Sequence, residues 1–306
     1  MIVDCYTHTW ESPAQLGRCL PLDREGNHRP RTGRPAMTAG VARHLAATQP
    51  VSTTIVLGFK SHYLGAEILN DQVASYVRNH PDRLIGFAGI DPSRPKEAIT
   101  ELHRVKSDLG MRGIAVAPAA QDFHPSNSQA MLVYAEAGQL GLPVLFHHGV
   151  HLSAATKLQY AQPVLLDEVA RELPNLRIVV AHLGFPWVDE TMALLMKHPH
   201  VFSDISRVLH QPWQAYQALI RAHECGVIDK LLFGSGFPDA AASHCIESLY
   251  SINHLCHGTN LPTIPRDQLR GIVERDTLAL LGIAPPRRPA ANAGHDEGPD
   301  DDRDES

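Results

Sequence analysis

Two short apolar runs that each end in histidine constrain this chain more than anything else in it. Leu142-Pro143-Val144-Leu145-Phe146 runs into His147-His148-Gly149, and Arg177-Ile178-Val179-Val180-Ala181 runs into His182-Leu183-Gly184. Between them, Ala161–Leu173 reads as a helix. Strands that are apolar throughout must be covered on both faces, and strand–helix–strand built from them is the unit of a parallel α/β sheet. Side chains at the C-terminal tips of such strands face the region where α/β barrels keep their chemistry. The histidines are therefore read as rim residues of one site.

The rest of the chain reads as further copies of that unit. Strands are expected at Ile2–Cys5, Thr53–Leu57, Leu84–Ile90, Gly113–Val116, Val201–Ser203 (with Asp204 at its tip) and Lys230–Phe233. Helices are expected at Ala66–Asn79, Lys96–Leu109, Thr191–Lys197, Pro212–Cys225, Ala241–His254 and Arg266–Leu281. Ser126-x-x-Gln129 resembles a capping box that opens one more helix, to about Gln139. Eight strands with helices between most of them predict a (β/α)8 TIM-like barrel over residues 1–284, an α/β fold in one domain. The alternative is a doubly wound open sheet, but no G-x-G-x-x-G follows the first strand, so a dinucleotide fold has no local support.

A long loop over residues 9–50 interrupts the first unit. It carries Arg24, His28, Arg29, Arg31 and Arg34. A loop of this length in a compact domain is a lid, a dimer arm or a plain surface loop. Guanidinium matches carboxylate and phosphate geometry, so Arg31 and Arg34 are candidate substrate-binding residues for an anion. Residues 285–306 are rich in Pro, Arg, Gly, Asp and Glu and are expected to form a disordered acidic tail.

That tail explains the charge. The formal net charge is −6, and the stretch Asp296–Ser306, with seven acids and one arginine, carries all of it. The remainder balances near zero, which leaves no basic field for nucleic acid. Five scattered cysteines form no C-x-x-C pair, so neither a zinc ribbon nor a disulfide framework is expected. No apolar run is long enough to span a bilayer. Met1-Ile2-Val3-Asp4 enters a strand at once with no leader, so a cytoplasmic protein with a small-molecule substrate is expected.

Imidazoles at several strand tips of one barrel can converge on a divalent metal. Nitrogen ligands suit zinc, and three of them leave a fourth position for water or substrate. The candidates by position are His8, His147, His148 and His182.

Several short motifs then carry a family resemblance over most of Ile2–Leu281. They are Asp4-x-Tyr6-x-His8, Asn70-Asp71, Pro81-Asp82-Arg83-Leu84-Ile85-Gly86, Gly110-x-Arg112-Gly113-Ile114, Gly141-Leu142-Pro143-Val144-x-x-His147, Ala181-His182-Leu183-Gly184 and Leu232-Phe233-Gly234-Ser235. In this order they resemble the amidohydrolase superfamily, in the amidohydrolase-related branch that includes aminocarboxymuconate-semialdehyde decarboxylase. The resemblance implies a barrel of the metal-dependent hydrolase type. It implies a metal held by an H-x-H pair at strand one, a histidine at strand five and an aspartate at strand eight. A histidine at strand six is implied as ligand or acid/base catalyst, and a homodimer is what the family suggests.

Here the pattern is degenerate. His8, His147 and His182 match, but Tyr6 replaces the first histidine of the pair and Gly236 replaces the strand-eight aspartate. Asp204, Asp239, His148, His151 and His62 are the candidate substitute donors. Strand four ends in Ala115-Val116-Ala117, so a second bridged metal is not expected. The first reading is a hydrolase or non-oxidative decarboxylase acting on a small carboxylate or lactone. It has His182 and Tyr6 as catalytic residues, His8, His147 and His182 around one divalent metal, with zinc the expected ion, and His148 with the loop arginines on the substrate. The alternative is a catalytically silent barrel that binds a small acid. A metal-free catalyst using His182 as acid/base is a third reading.

Overall fold

In the computed structural model, residues 1–19, 39–149 and 153–286 are described. Arg31, Arg34, His151 and the tail from residue 287 onward lie outside them. Among the described residues there are ten strands, in chain order: β1 Val3–His8, β2 Thr53–Leu57, β3 Phe59–Ser61, β4 Ala66–Ile68, β5 Leu84–Gly89, β6 Gly113–Val116, β7 Val144–Phe146, β8 Ile178–Val180, β9 Val201–Asp204 and β10 Leu231–Leu232. Eight of them pair in parallel in the order β1-β2-β5-β6-β7-β8-β9-β10.

Backbone hydrogen bonds bring the last strand back to the first. Cys5 N–H donates to Phe233 O at 3.0 Å, Gly236 N–H to Tyr6 O at 3.0 Å and His8 N–H to Phe237 O at 3.0 Å. The sheet is thus a nearly closed barrel, which leaves little edge to protect. The expected (β/α)8 barrel is the observed fold.

Both faces of the eight barrel strands are buried, and alternate residues divide between two cores. Ile55, Leu57, Ile85, Phe87, Ala115, Leu145, Val179, Phe202 and Leu232 fill the barrel interior. Val56, Ala88, Ile114, Val144, Phe146, Ile178, Val180 and Leu231 face the surrounding helices. Helices Pro95–Ser107 and Pro212–Glu224 each supply an apolar stripe to that outer layer, through Leu102 and Val105 and through Leu219 and Ala222. Each such leucine, fully buried, stabilises the fold by about 1.5–3 kcal/mol. The bottom of the interior is sealed by Leu278, Leu281 and Ile283, on and just after the short helix Thr277–Leu280.

Strand β1 departs from the alternation. Asp4 pairs with Thr54 and Thr7 with Val56, so three steps on β1 match two on β2. This bulge turns Cys5 and Tyr6, adjacent in sequence, toward the same interior core. Because strand side chains alternate with period two, the extra residue re-aims everything beyond it.

Some elements differ from the sequence reading. Ala66–Ile68 is not the start of a helix but pairs antiparallel with Phe59–Ser61 in a hairpin turning at Gly65, whose φ is +63°. The helix begins only at Asn70. The helix Ser128–Gln139 is capped by Asn127, whose side chain accepts from Gln129 N–H at 2.9 Å, not by Ser126. The last expected helix is two, Arg266–Glu274 and Thr277–Leu280, with extended backbone at Arg275 between them.

Candidate active site

The C-terminal ends of β1, β7 and β8 bring four aromatic rings together at one mouth. Tyr6 lies edge-on to His8, His147 and His182, with ring centroids 5.2, 5.8 and 4.5 Å away. His147 and His182 are 4.9 Å apart and near-perpendicular. The bulge in β1 supplies Tyr6. His182 and Leu183 have positive φ, 56° and 52°, which turns the chain sharply off the tip of β8. A narrow cleft beside Tyr6 is lined by His8, Leu57, Ala115, Leu145 and His147.

Two hydrogen-bonded limbs organise these rings. On the β1 side, His8 Nδ1 lies 3.1 Å from Leu57 O. A carbonyl only accepts, so Nδ1 carries the proton. Burial pushes the His8 imidazole down to about 4, so the ring is neutral and its Nε2 is an acceptor. Tyr6 Oη, 3.2 Å from that Nε2, therefore donates to it. With its one proton committed there, the phenol oxygen accepts from His147 Nδ1–H at 2.8 Å. Burial also holds the Tyr6 phenol well above its ordinary range, so it keeps its proton.

On the β8–β9 side, the limb ends on a carboxylate. Ser206 Oγ–H donates to Asp204 Oδ1. The serine oxygen then accepts from His182 Nδ1–H at 2.7 Å. Asp204 Oδ1 also accepts from the backbone N–H of Ser206 at 2.9 Å and of His182 at 3.2 Å. Burial pushes the Asp204 carboxyl up to about 7, against the hydrogen bonds that lower it. Asp4, which accepts from Ser235 N–H at 2.8 Å, is likewise pushed up to about 6 by burial. One oxygen of each carboxyl, Oδ2, makes no hydrogen bond among the described residues.

The predicted site residues fall into three groups. Tyr6, His8, His147 and His182 are brought together. His148 is fully buried with its ring edge-on to Phe146, an outer-layer side chain, at 5.8 Å. Arg31 and Arg34 lie outside the described residues. Ser206 and Arg207 were not anticipated. Arg207, at positive φ (61°), pairs with Asp239 at 3.1 Å, and its charge acts on both Tyr6 and His8. The signal for Ser206 is a hydroxyl two residues beyond an aspartate at a strand tip.

Of the expected metal ligands, His8 and His147 meet at the Tyr6 hydroxyl, while His182 Nδ1 is turned to Ser206. Among the described residues, no group of three or more His, Cys, Asp or Glu side chains is set to hold a metal ion. A ligand nitrogen must offer a lone pair, yet that of His8 Nε2 meets the phenol proton and His147 Nδ1 carries its own. Gly236 contributes no donor. As arranged, these side chains do not fit a metal.

Known proteins place this geometry in context. A 2-amino-3-carboxymuconate-6-semialdehyde decarboxylase from Dictyostelium discoideum is 26% identical over 139 residues, which are 40% of this chain and 39% of that protein's length. Among solved structures, a TIM-barrel protein from Bordetella bronchiseptica is 20% identical at a TM-score of 0.69, covering 92% of this chain and 99% of that one. A probable 2-pyrone-4,6-dicarboxylic acid hydrolase from Acinetobacter baumannii, with citric acid bound, is 17% identical at 0.61, covering 92% and 99%. A dihydroxybenzoic acid decarboxylase from Polaromonas, with manganese and 2-nitroresorcinol bound, is 15% identical at 0.61, covering 92% and 96%. At these identities the structures speak to the fold. The amidohydrolase family model matches residues 3–275, and with that span the chain belongs to the amidohydrolase family.

Proposed function

We propose that this chain is an enzyme that hydrolyses or non-oxidatively decarboxylates a small carboxylate or lactone, with His182 as its acid/base. The observation that carries this reading is the Asp204–Ser206–His182 limb. It fixes the proton of the neutral imidazole on Nδ1, so that Nε2 is the basic atom. A general acid/base works best when its proton affinity lies near the working pH. The buried Asp204 carboxyl stands behind the imidazole through the Ser206 hydroxyl, so the proton affinities of the two are coupled.

In hydrolysis, His182 Nε2 takes a proton from water as the oxygen bonds to the acyl carbon, then returns it to the leaving oxygen. In decarboxylation, the bond to the carboxylate carbon breaks, its electron pair stays on the substrate carbon, and protonated His182 delivers a proton there. Tyr6, whose single proton goes to His8 Nε2, takes part by holding His8 and His147 in place beside the His182 limb. We assign a substrate carboxylate to Arg207, together with Arg31 and Arg34 of the loop. His148 stays in the proposal as a substrate contact only if its ring leaves Phe146.

The Polaromonas relative holds manganese. Zinc would be the metal suited to three imidazoles. Since the donors as arranged do not fit a metal, no step here runs through one. A cytoplasmic location and a homodimer belong to the same proposal and rest on the sequence reading alone.

The test is a panel of small unsaturated carboxylic acids and lactones, followed for carbon dioxide release and for acid release. Turnover should appear with the wild type and fall by about 10²–10⁴-fold in His182→Asn. Equal rates in the two proteins for every substrate turned over would refute the reading. One observation favours the non-catalytic alternative, namely Tyr6 and Gly236 at two ligand positions. Calorimetric binding of an acid from the panel, with no turnover anywhere in it, would point to that alternative.

A further inference from the structure

We propose that the Tyr6 hydroxyl takes the place of a metal ion at the meeting point of His8 and His147, so that this barrel mouth is a metal-free site locked by hydrogen bonds. The phenol oxygen lies 3.2 Å from His8 Nε2 and 2.8 Å from His147 Nδ1, the two nitrogens that converge on it. These two histidines are ones the family resemblance assigns to a metal. Here the atom between them is an oxygen of the chain itself.

Three features make the replacement coherent. The proton order runs in one direction, from His147 Nδ1–H to the phenol oxygen, from the phenol to His8 Nε2, and from His8 Nδ1–H to Leu57 O. Each donor meets an acceptor, so neither nitrogen that faces the phenol presents a lone pair to a cation. Second, the phenol is positioned by the bulge in β1, which turns Tyr6 toward the interior. Third, the strand-eight position is closed to a replacement carboxylate. Gly236 has φ +73°, and a Cβ there would come within 3.0 Å of Arg207 Cγ and 3.2 Å of Arg207 N.

A metal at such a mouth would polarise a carbonyl or activate water. In its place, this chain has a hydrogen-bonding phenol beside the His182 limb. The inference deepens the proposed function but is read from geometry. Its readouts are metal content and ring-nitrogen environment, which respond whether or not a substrate is found.

The experiment uses the full chain. Wild type is incubated with zinc alone and with manganese alone, freed of unbound ion, and its metal content is measured by plasma mass spectrometry. In parallel, imidazole nitrogens are followed by two-bond proton–nitrogen correlation in wild type and in Tyr6→Phe, which keeps the ring and removes the hydroxyl. The expected result is far less than one ion per chain, with the His8 Nε2 and His147 Nδ1 resonances moved in Tyr6→Phe while those of His62, bonded to Asp91, stay in place. One tightly held ion per wild-type chain overturns the inference. So does a Tyr6→Phe protein whose His8 and His147 resonances match the wild type, since the hydroxyl would then not join them.

Discussion

The two limbs at the barrel mouth are built from the same side-chain chemistry but end on different anchors. The His147–Tyr6–His8 limb ends on Leu57 O, a neutral carbonyl, and burial drives its terminal imidazole down to about 4. The His182–Ser206 limb ends on Asp204, a buried carboxyl pushed up to about 7. A neutral anchor gives no reason for the imidazole to charge, so the first limb is a fixed scaffold across the physiological range. An ionisable anchor changes the proton affinity of whatever hangs from it, so the second limb handles protons. The same residue type serves as scaffold or as catalyst according to what lies one hydrogen bond behind it.

The largest effect should come from cutting the second limb at its working end. His182→Asn should lower kcat on any substrate turned over by about 10²–10⁴-fold, the range for loss of a general acid/base. His8→Asn, on the scaffold limb, should lower it less. If the two losses are equal, the division between the limbs is wrong. Ser206→Ala comes next. It leaves both His182 and Asp204 in place but removes the hydroxyl between them. A lost buried hydrogen-bond partner costs about 1–3 kcal/mol, so a loss of roughly 5- to 150-fold is expected. It should fall mainly on kcat rather than KM, because Ser206 touches the imidazole and the carboxyl. A KM change alone would make Ser206 a binding residue.

Gly236→Ala tests the other side of the mouth through stability. Gly236 sits at positive φ, facing Arg207, which is itself at positive φ. A methyl group there meets Arg207 N at 3.2 Å and adopts backbone that side chains avoid. The expected cost is about 1–3 kcal/mol by urea unfolding. An unchanged midpoint and slope would mean that the Gly236–Arg207 approach is looser than drawn.

Much of the frame was legible because its signal is local. Val144-Leu145-Phe146 and Ile178-Val179-Val180 are apolar on both faces and bounded by polar tips, as a buried parallel strand demands. The four rings followed, since each sits at a strand tip. The site's inner logic was not local. Val3-Asp4-Cys5-Tyr6-Thr7-His8 alternates equally well with or without a bulge, and only pairing with β2 shows that Cys5 and Tyr6 share a core. Ser206 matters because His182, 24 residues earlier, reaches it across the β8–β9 boundary. Ala66-Glu67-Ile68-Leu69 looks helical by composition, and pairing with Phe59–Ser61 overrides that preference.

The last test is the most specific to the comparison. The Asp204 carboxyl is raised in the fold from 3.8 to about 7, with burial as the largest cause. Between those values the native state holds a proton that the unfolded chain releases. Stability from this group is therefore fully present below about 4 and declines as pH rises toward 7. His8 and His44 act in the opposite sense: burial lowers each from 6.5 to about 4, so their contribution grows as pH rises through that window. The two trends offset each other in the wild type. Asp204→Asn separates them, because asparagine keeps the shape and the acceptor oxygen but cannot ionise. The wild type should lose stability relative to Asp204→Asn as pH is raised from acidic to neutral. Urea unfolding of both proteins across that range measures the difference. A gap that stays flat would mean the Asp204 carboxyl titrates as it does in the unfolded chain. The two limbs would then not differ in the way their anchors require.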